Sequence, residues 1–343
     1  MKRNRSESLA NLYRPREFED MVGQSSIIKI LERQVSMKEY KHAYLFTGPS
    51  GCGKTTVARI LASKINGSLA GLEELDAASN NGVENVRQII KSAQERSISS
   101  VYKIYIIDEC HALSNQAWQA FLKCIEEPPE YTIFMFCTTD PQKIPATIVN
   151  RCQRYNLSKI STDKIRERLA YICRAENFTN YEESIDYIAK ISDGGARDAI
   201  ATLEKVASLD PNISIENTLD ALGTYSYDLF FDLANSIIDS NQVKVAGIIS
   251  DIYHKGNDLR LFVDQFFSFC LDVAKYCLFK STEMIGIPSS LENKLKDSTN
   301  FDTPEKYYMF IVDRLLELKN KIKNDTSVRT TVEATFLRIA RWE

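Results

Sequence analysis

The sequence has few of the residues that build metal sites or disulfide frameworks. Only 3 histidines occur among 343 residues, and the 8 cysteines are scattered without a single Cys-x-x-Cys pair. Structural zinc sites and disulfide-rich folds depend on closely spaced cysteines and histidines. Neither is therefore predicted, and we expect the cysteines to be reduced packing residues.

Long apolar runs are also absent. No stretch of about 18 apolar residues occurs, and the basic first residues lead into no apolar segment of signal-peptide length. We therefore expect a cytoplasmic protein with no membrane partner. The net charge of -3 argues against a surface that is basic throughout, but it does not exclude a local basic strip facing nucleic acid.

The remaining composition is that of a globular protein, with 44% hydrophobic and 26% charged residues. At about 150 residues per domain, a chain of this length is expected to form two or three domains. Apolar runs of strand length alternate with helical periods as far as about residue 155. Strands are predicted at 43–47, 72–76, 103–107, 132–138 and 153–157.

Near-continuous hydrophobicity in the third and fourth of these runs is typical of parallel strands buried on both faces. The fold class predicted for residues 1–158 is therefore α/β, with a five-stranded parallel sheet and helices on both faces. After residue 158 the pattern is helical alone, which predicts a small helical domain at 159–223 and a third, all-helical domain at 224–343. Helices of the small domain are predicted at 161–177, 182–192, 196–208 and 214–222.

A glycine-rich segment follows the first predicted strand and leads into a helical pattern, which is the context that a phosphate-binding loop requires. In such a loop, glycines let backbone N–H groups surround the phosphates, Lys54 reaches the terminal phosphates and Thr55 binds magnesium. The segment predicts binding of ATP and Mg²⁺, and ATP hydrolysis. Its residues are Gly48, Pro49, Ser50, Gly51, Cys52, Gly53, Lys54, Thr55 and Thr56.

Two carboxylates, Asp108 and Glu109, follow the strand predicted at 103–107 and are expected at the sheet edge that carries the glycine-rich loop. Asp108 is predicted to hold Mg²⁺, directly or through water, and Glu109 to polarise the attacking water.

The tetrapeptide Asp-Glu-Cys-His at 108–111 also suggests a helicase of the DExH type. Such helicases need a second α/β domain, which the helical pattern after residue 158 does not offer. His111 is instead predicted to be structural or to relay the nucleotide state.

Together with further segments, these motifs resemble the AAA+ clamp loaders, and within them the gamma/tau subunits of bacterial DNA polymerase III. The resemblance covers about residues 9–222. The family usually carries a four-cysteine zinc module after the phosphate-loop helix, whereas only about ten residues lie there in this chain, so the resemblance is to a form without zinc. The segments that carry the resemblance are Leu12-Tyr13-Arg14-Pro15, Val22-Gly23-Gln24, His42 to Phe46, Gly48 to Thr55, Asp76 to Val83, Ile107-Asp108-Glu109, Leu122-Lys123, Glu126 to Pro129, Thr138 to Pro145, Arg151-Cys152 and Gly195 to Asp198.

The resemblance implies an AAA+ core at 1–158, a lid domain at 159–223 and a collar domain for oligomerisation at 224–343. It implies that Thr139 is the sensor of the γ-phosphate and that Arg197 is a second sensor reaching the nucleotide from the lid. Arg151 corresponds to an arginine finger, which completes the site of a neighbouring subunit. An arginine supplied in trans increases the rate about 10³–10⁵-fold, so an isolated subunit is expected to be a poor ATPase.

Two further groups of residues follow from the resemblance. One encloses the adenine base, and it consists of Tyr13, Arg14, Val22 and Gly23. The other contacts the DNA backbone without reading its sequence, and its candidates are Asn81, Arg87 and Lys123.

The function implied is that of an ATPase subunit of a replicative sliding-clamp loader. ATP binding is expected to open the clamp and bind primer–template DNA, and hydrolysis to release both. The implied partners are delta- and delta-prime-type subunits, further copies of the chain, the sliding clamp and DNA. Two alternatives remain open: another AAA+ DNA motor such as a branch-migration helicase, and an ATP-binding scaffold without turnover. The intact Lys54, Asp108 and Glu109 argue against the scaffold.

Overall fold

The computed structural model describes residues 7–282 and 285–342, except for the side chain of Ser289. The chain divides into two compact units, one formed by Met1–Ile172 with Ser192–Glu204 and the other by Cys173–Ile191 with Lys205–Glu343. The basic residues before Glu7 lie outside the described residues. The three-part division at 158 and 223 stays a prediction.

A single sheet of five strands forms the centre of the first unit. All of its strand pairs are parallel, and the order across the sheet is β2-β3-β4-β1-β5. The five predicted strands are confirmed, with ends that differ by at most one residue. The strands are β1 Ala43–Thr47, β2 Leu72–Asp76, β3 Lys103–Asp108, β4 Thr132–Thr138 and β5 Gln153–Asn156.

Helices cover both faces of this sheet because side chains alternate between the faces along each strand. In β1, Tyr44 and Phe46 pack with Leu61 on one face, while Leu45 packs with Phe121 on the other. Complete burial of each such side chain contributes about 1.5–3 kcal/mol. The helices of this part are α1 Leu9–Leu12, α2 Ser25–Met37, α3 Lys54–Asn66, α4 Val83–Ala93, α5 Asn115–Glu126 and α6 Ala146–Val149.

The α/β prediction for the first part of the chain is thereby confirmed. Helices alone follow, and the four predicted between residues 161 and 222 are confirmed to within one residue at each end. Ser214 caps the last of them, since its side chain accepts a hydrogen bond from the backbone N–H of Asn217. These helices are α7 Thr162–Glu176, α8 Glu182–Ile191, α9 Ala196–Leu209 and α10 Ile215–Leu222.

The rest of the second unit is helical and has an aromatic core. Phe262 and Phe266 stack on each other, and both contact Phe230 and Phe336. Among the described residues, no helix combines the length and apolarity needed to cross a membrane. The helices are α11 Tyr227–Ile238, α12 Gln242–His254, α13 Leu259–Phe279, α14 Glu292–Ser298, α15 Pro304–Ile322 and α16 Val328–Ile339.

Candidate nucleotide site

The glycine-rich loop leaves the carboxyl end of β1 between the ends of two other strands. The backbone N–H of Gly48 donates to the carbonyl oxygen of Thr138 at 3.2 Å, and thereby ties the loop to β4. Gly48 has a φ of 149°, and a Cβ atom there would lie 2.4 Å from the carbonyl oxygen of Leu157. Only glycine fits this position, so the glycine preserves a close backbone approach beneath the loop.

Lys54 is the first residue of α3, and only 6% of its surface is exposed. Its ammonium group donates to the carbonyl oxygens of Gly48 at 3.0 Å and Pro49 at 2.8 Å. Because a buried charge is costly without partners, these two contacts stabilise a cation inside the loop. The loop and Lys54 thus form a concave, positively charged cradle that suits phosphate groups.

Thr55 and Asp108 come together from α3 and β3. The Thr55 hydroxyl donates to Oδ2 of Asp108 at 2.8 Å, and Oδ1 of the same carboxylate accepts from the backbone N–H of Glu109 at 3.0 Å. A hydroxyl beside a carboxylate is the oxygen donor set that Mg²⁺ prefers, so this pair fits the predicted ion. Elsewhere in the described residues, no cluster of three His, Cys, Asp or Glu side chains is arranged to hold a metal, which leaves the expectation about zinc untested.

Glu109 and Thr139 lie side by side at the ends of the neighbouring strands β3 and β4. The Thr139 hydroxyl donates to Oε2 of Glu109 at 3.0 Å. Nδ1 of His111 lies 3.2 Å from the same carboxylate oxygen and 3.0 Å from the hydroxyl oxygen of Thr138. His111 therefore links the acidic strand end to the end of β4, a contact that the sequence did not reveal.

A single cavity among the described residues brings most of the predicted site residues together. The predicted residues that line it are Tyr13, Arg14, Val22, Ser50, Gly51, Cys52, Gly53, Lys54, Thr55, Thr56, Asp108, Glu109 and Arg197. Gly23, Gly48, Pro49, Thr139 and Arg151 do not line it. Sequence reasoning assigned no role to the lining residues Ala10, Pro15, Met21, Ile160, Arg168, Ala196 and Ile200, most of which are apolar.

The start of α9 reaches the glycine-rich loop directly. The backbone N–H of Ala196 donates to the carbonyl oxygen of Gly51 at 3.1 Å, and the next residue, Arg197, is exposed in the cavity. Partial burial lowers the pKa of Arg14, and the neighbouring positive charges of Arg59 and Arg197 lower it further. Lys54, Arg14 and Arg197 therefore give the cavity a positive potential suited to an anionic ligand.

Cys52 is fully buried within the loop. Burial raises the pKa of its thiol, although the nearby positive charge of Lys54 opposes the change. The thiol therefore remains protonated at neutral pH and acts as a packing group rather than a nucleophile.

Arg151 lies at the opposite edge of the sheet. It precedes β5, whereas the glycine-rich loop follows β1, and a strand of this length separates the two edges by about 15 Å. Nη2 of Arg151 is 2.6 Å from Oε1 of Glu126, and Nη1 donates to the carbonyl oxygen of Thr147 at 2.7 Å. The pair remains about two-fifths exposed, at 39% and 40%. Its assignment as an arginine finger stays a prediction.

The three candidates for DNA contact are all exposed and lie around α4 and α5. Asn81 precedes α4, and its carbonyl oxygen accepts from the backbone N–H of Ser114 just before α5. Arg87 on α4 pairs with Glu84 at 3.3 Å, and Lys123 lies in the last turn of α5. Their side chains are available to a ligand, but their contact with DNA stays a prediction.

The chain is similar to subunits of bacterial DNA polymerase III. A family model described as DNA polymerase III, delta subunit, matches residues 23–81 and 70–161. The tau subunit of DNA polymerase III from Bacillus subtilis is 34% identical over 92% of this chain and 59% of its own length. The gamma subunit from Buchnera aphidicola is 34% identical over 71% of this chain and 74% of its own length.

Other relatives extend well beyond the match. The tau subunit from Escherichia coli is 33% identical over 72% of this chain but only 42% of its own length. The chain therefore spans about half the length of the tau subunits that it matches. Among solved structures, the Holliday junction branch migration motor RuvB from Thermotoga maritima superposes with a TM-score of 0.52, covering 74% of this chain and 90% of that one. The identity is only 18%, so this likeness concerns the fold.

Proposed function

Because this chain belongs to the DNA polymerase III gamma/tau family, we propose that it is an ATPase subunit of a DNA sliding-clamp loader. ATP binding opens the clamp and promotes binding of primer–template DNA, and hydrolysis releases the clamp on the DNA. The observation that carries the proposal is the convergence of Lys54, the Thr55–Asp108 pair and Glu109 at one sheet edge.

Each of these residues has a separate task in the proposed reaction. The glycine-rich loop and Lys54 hold the phosphates of ATP, and Thr55 with Asp108 holds Mg²⁺, which neutralises phosphate charge when it is bound. Glu109 orients the attacking water and accepts a proton from it. Arg197 approaches the phosphates from α9. Tyr13, Arg14 and Val22 enclose the base side of the site together with the apolar lining residues Met21 and Ile160. Gly23 does not line the cavity itself but lies against Ile160.

Thr139 has one hydroxyl proton, which it donates to Glu109. A hydroxyl cannot give that proton to a phosphate oxygen and to Glu109 at the same time. In the proposed function, Thr139 transfers its hydrogen bond to the γ-phosphate and leaves Glu109 free to act on water. This exchange is how Thr139 would report that ATP, rather than ADP, is bound.

Arg151 cannot serve the site of its own subunit from the opposite sheet edge, and we assign it to the site of a neighbour. A guanidinium supplied in trans stabilises the negative charge of the transition state and makes hydrolysis depend on assembly. The partners proposed are copies of this chain, delta- and delta-prime-type subunits, the clamp and DNA. Asn81, Arg87 and Lys123 hold the DNA through backbone phosphates, so their contribution decreases with salt.

The fold likeness to RuvB keeps a branch-migration motor as a second candidate, although only the fold supports it. A nucleotide-binding scaffold without turnover is the third. The two motors differ in substrate: a clamp loader requires a clamp and a primed junction, whereas a branch-migration motor acts on four-way junctions without a clamp.

The deciding experiment reconstitutes the chain with its delta- and delta-prime-type subunits and the clamp. We expect ATP hydrolysis to rise at least tenfold when primed DNA and clamp are both added, because both complete the assembly. Lys54→Ala should remove this activity, while replacement of the exposed Lys123 by alanine should weaken only its dependence on DNA. Absence of stimulation by clamp and primed DNA, together with ATP-driven movement of a four-way junction, would reject the clamp-loader proposal.

A further inference from the structure

An arginine that belongs to none of the motifs contributes to the cavity wall. Arg168 lies on α7, where it lines the cavity beside Tyr13. Its Nη2 atom donates to the backbone carbonyl oxygen of Tyr13 at 2.6 Å. Hydrogen bonds from a charged donor are stronger than those between neutral groups. The bond therefore fixes the main chain at residue 13, and with it the peptide group that leads to Arg14.

Tyr171 follows Arg168 by three residues on α7 and contacts both Arg168 and Tyr13. The guanidinium of Arg168 lies over the Tyr171 ring, 5.2 Å from its centroid. The rings of Tyr13 and Tyr171 meet edge to face, with centroids 6.1 Å apart and planes at 86°. No carboxylate pairs with Arg168 among the described residues, so Tyr13 and Tyr171 provide its contacts. The guanidinium is thus used to join the Tyr13 segment to α7.

The segment that follows Tyr13 is attached elsewhere to the α/β core. Gln24 exchanges two hydrogen bonds with the backbone of Ser158, at 2.7 and 3.2 Å, just after β5. Glu17 forms an ion pair with Lys64 on α3. The wall between residues 13 and 24 is therefore fixed to α7 at its first residue and to the core further on. Arg168 provides the attachment to α7.

We propose that Arg168 is a positioning residue for nucleotide binding, which holds the Tyr13 wall of the cavity against α7. The inference rests on the proposed nucleotide site. Arg168 contacts Tyr13 and Tyr171, whereas Lys54, which holds the phosphates, and Glu109, which acts on the attacking water, have their own partners at the sheet edge. Its loss therefore affects the affinity for the nucleotide and leaves the rate of hydrolysis at saturating ATP unchanged.

The test measures the affinity of the full chain for methylanthraniloyl-ADP by fluorescence, and kcat and KM for ATP in the reconstituted assembly. Arg168→Ala should weaken binding about tenfold because a charged hydrogen bond is lost. Arg168→Lys should recover part of the affinity, since an ammonium can donate to the Tyr13 carbonyl but cannot lie flat over Tyr171. Arg166→Ala is the matched control, because Arg166 lies on the same helix, pairs with Asp163 at 2.8 Å and does not line the cavity.

The expected pattern is a raised KM for Arg168→Ala with kcat within about twofold of the unaltered chain. Unchanged affinity, an equal loss in Arg166→Ala, or a fall in kcat at saturating ATP would each overturn the inference. If Arg168→Ala does not fold, as judged by circular dichroism, Tyr171→Ala takes its place, with a smaller loss of affinity expected and no loss overturning the proposal. An unaltered chain that binds no methylanthraniloyl-ADP overturns the proposed function itself, whereas equal binding by the unaltered and altered chains overturns only the role of Arg168.

Discussion

The polar side chains at the two edges of the parallel sheet have different surroundings. At the carboxyl edge, Lys54, Asp108 and Glu109 are hydrogen-bonded to neighbouring groups of the same chain and line one cavity. At the amino edge, Arg151 forms a half-exposed pair with Glu126 outside that cavity. The first arrangement places these groups around one cavity of the chain. The second leaves a guanidinium at the surface, where another protein can reach it.

This difference separates residues that can contribute to ATP hydrolysis in the isolated chain from residues that need a partner subunit. In the proposed function, groups at the carboxyl edge bind the nucleotide and activate the attacking water. In the same proposal, the exposed Arg151 of the amino edge contributes to hydrolysis only when a second subunit is present. Substitutions at the two edges should therefore give different results in the isolated chain and in the assembly.

The largest effect is expected for Arg151→Ala, which tests the amino edge. In the reconstituted assembly, ATP turnover should fall about 10³-fold, equivalent to about 4 kcal/mol of transition-state stabilisation. The slow hydrolysis by the isolated chain and its nucleotide affinity should not change, because Arg151 is remote from the cavity. Steady-state ATPase assays with and without the partners make this comparison. The neighbouring exposed Arg154, replaced by alanine, is the control, and equal activity of both variants in the assembly would reject the assignment of Arg151.

Glu109→Gln tests the carboxyl edge, and the loss expected is about 10²-fold in turnover. Glutamine has the same shape and can still accept the hydrogen bond from Thr139, so the geometry is retained while the base is lost. Affinity for methylanthraniloyl-ADP should remain within about threefold, which corresponds to less than 1 kcal/mol. Glu130→Gln, at an exposed position after α5, serves as the control. Normal turnover by Glu109→Gln in the assembly would show that another group activates the water.

The smallest effect is expected on stability, in a comparison of alanine substitutions at two glycines, Gly48 in the glycine-rich loop and Gly67. Gly48 and Gly67 both have positive φ, but a Cβ at Gly48 would lie 2.4 Å from a carbonyl oxygen, whereas one at Gly67 meets nothing within 4 Å. Both alanine variants carry the strain of the left-handed backbone, and only Gly48→Ala adds a steric clash. We expect Gly48→Ala to be less stable than Gly67→Ala by about 2 kcal/mol, or roughly 5 °C in Tm. Thermal unfolding followed by circular dichroism measures the difference, and equal Tm values would contradict it.

Part of the carboxyl edge could be predicted because two of its strands, β1 and β3, end at recognisable residues. The apolar run of β1 ends at the glycine-rich loop, and that of β3 ends at Asp108. In a parallel sheet the carboxyl ends of the strands share one edge, so the two motifs had to lie near each other. The family resemblance added Thr139 and Arg197, which carry no recognisable signal of their own.

Contacts that depend on tertiary packing could not be predicted in the same way. The hydrogen bond between Thr139 and Glu109 requires β3 and β4 to be neighbours, and strand order does not follow from hydrophobic runs alone. No sequence motif marks Arg168, and nothing in the sequence around it separates it from Arg166 on the same helix. Its contact with the Tyr13 carbonyl and its place in the cavity lining identify Arg168 in the structure.

The position of β1 inside the sheet has a consequence for the synthesis of the chain. Its two neighbours are β4 and β5, so Ala43 pairs with Phe134 and Tyr44 with Gln153, roughly 90 and 110 residues further on. While the ribosome is still adding those residues, the apolar side chains of β1 have no strand beside them. The glycine-rich loop therefore cannot form its backbone contact with Thr138 until β4 has emerged, and until then β1 is an unpaired apolar strand of the kind that pairs with other chains.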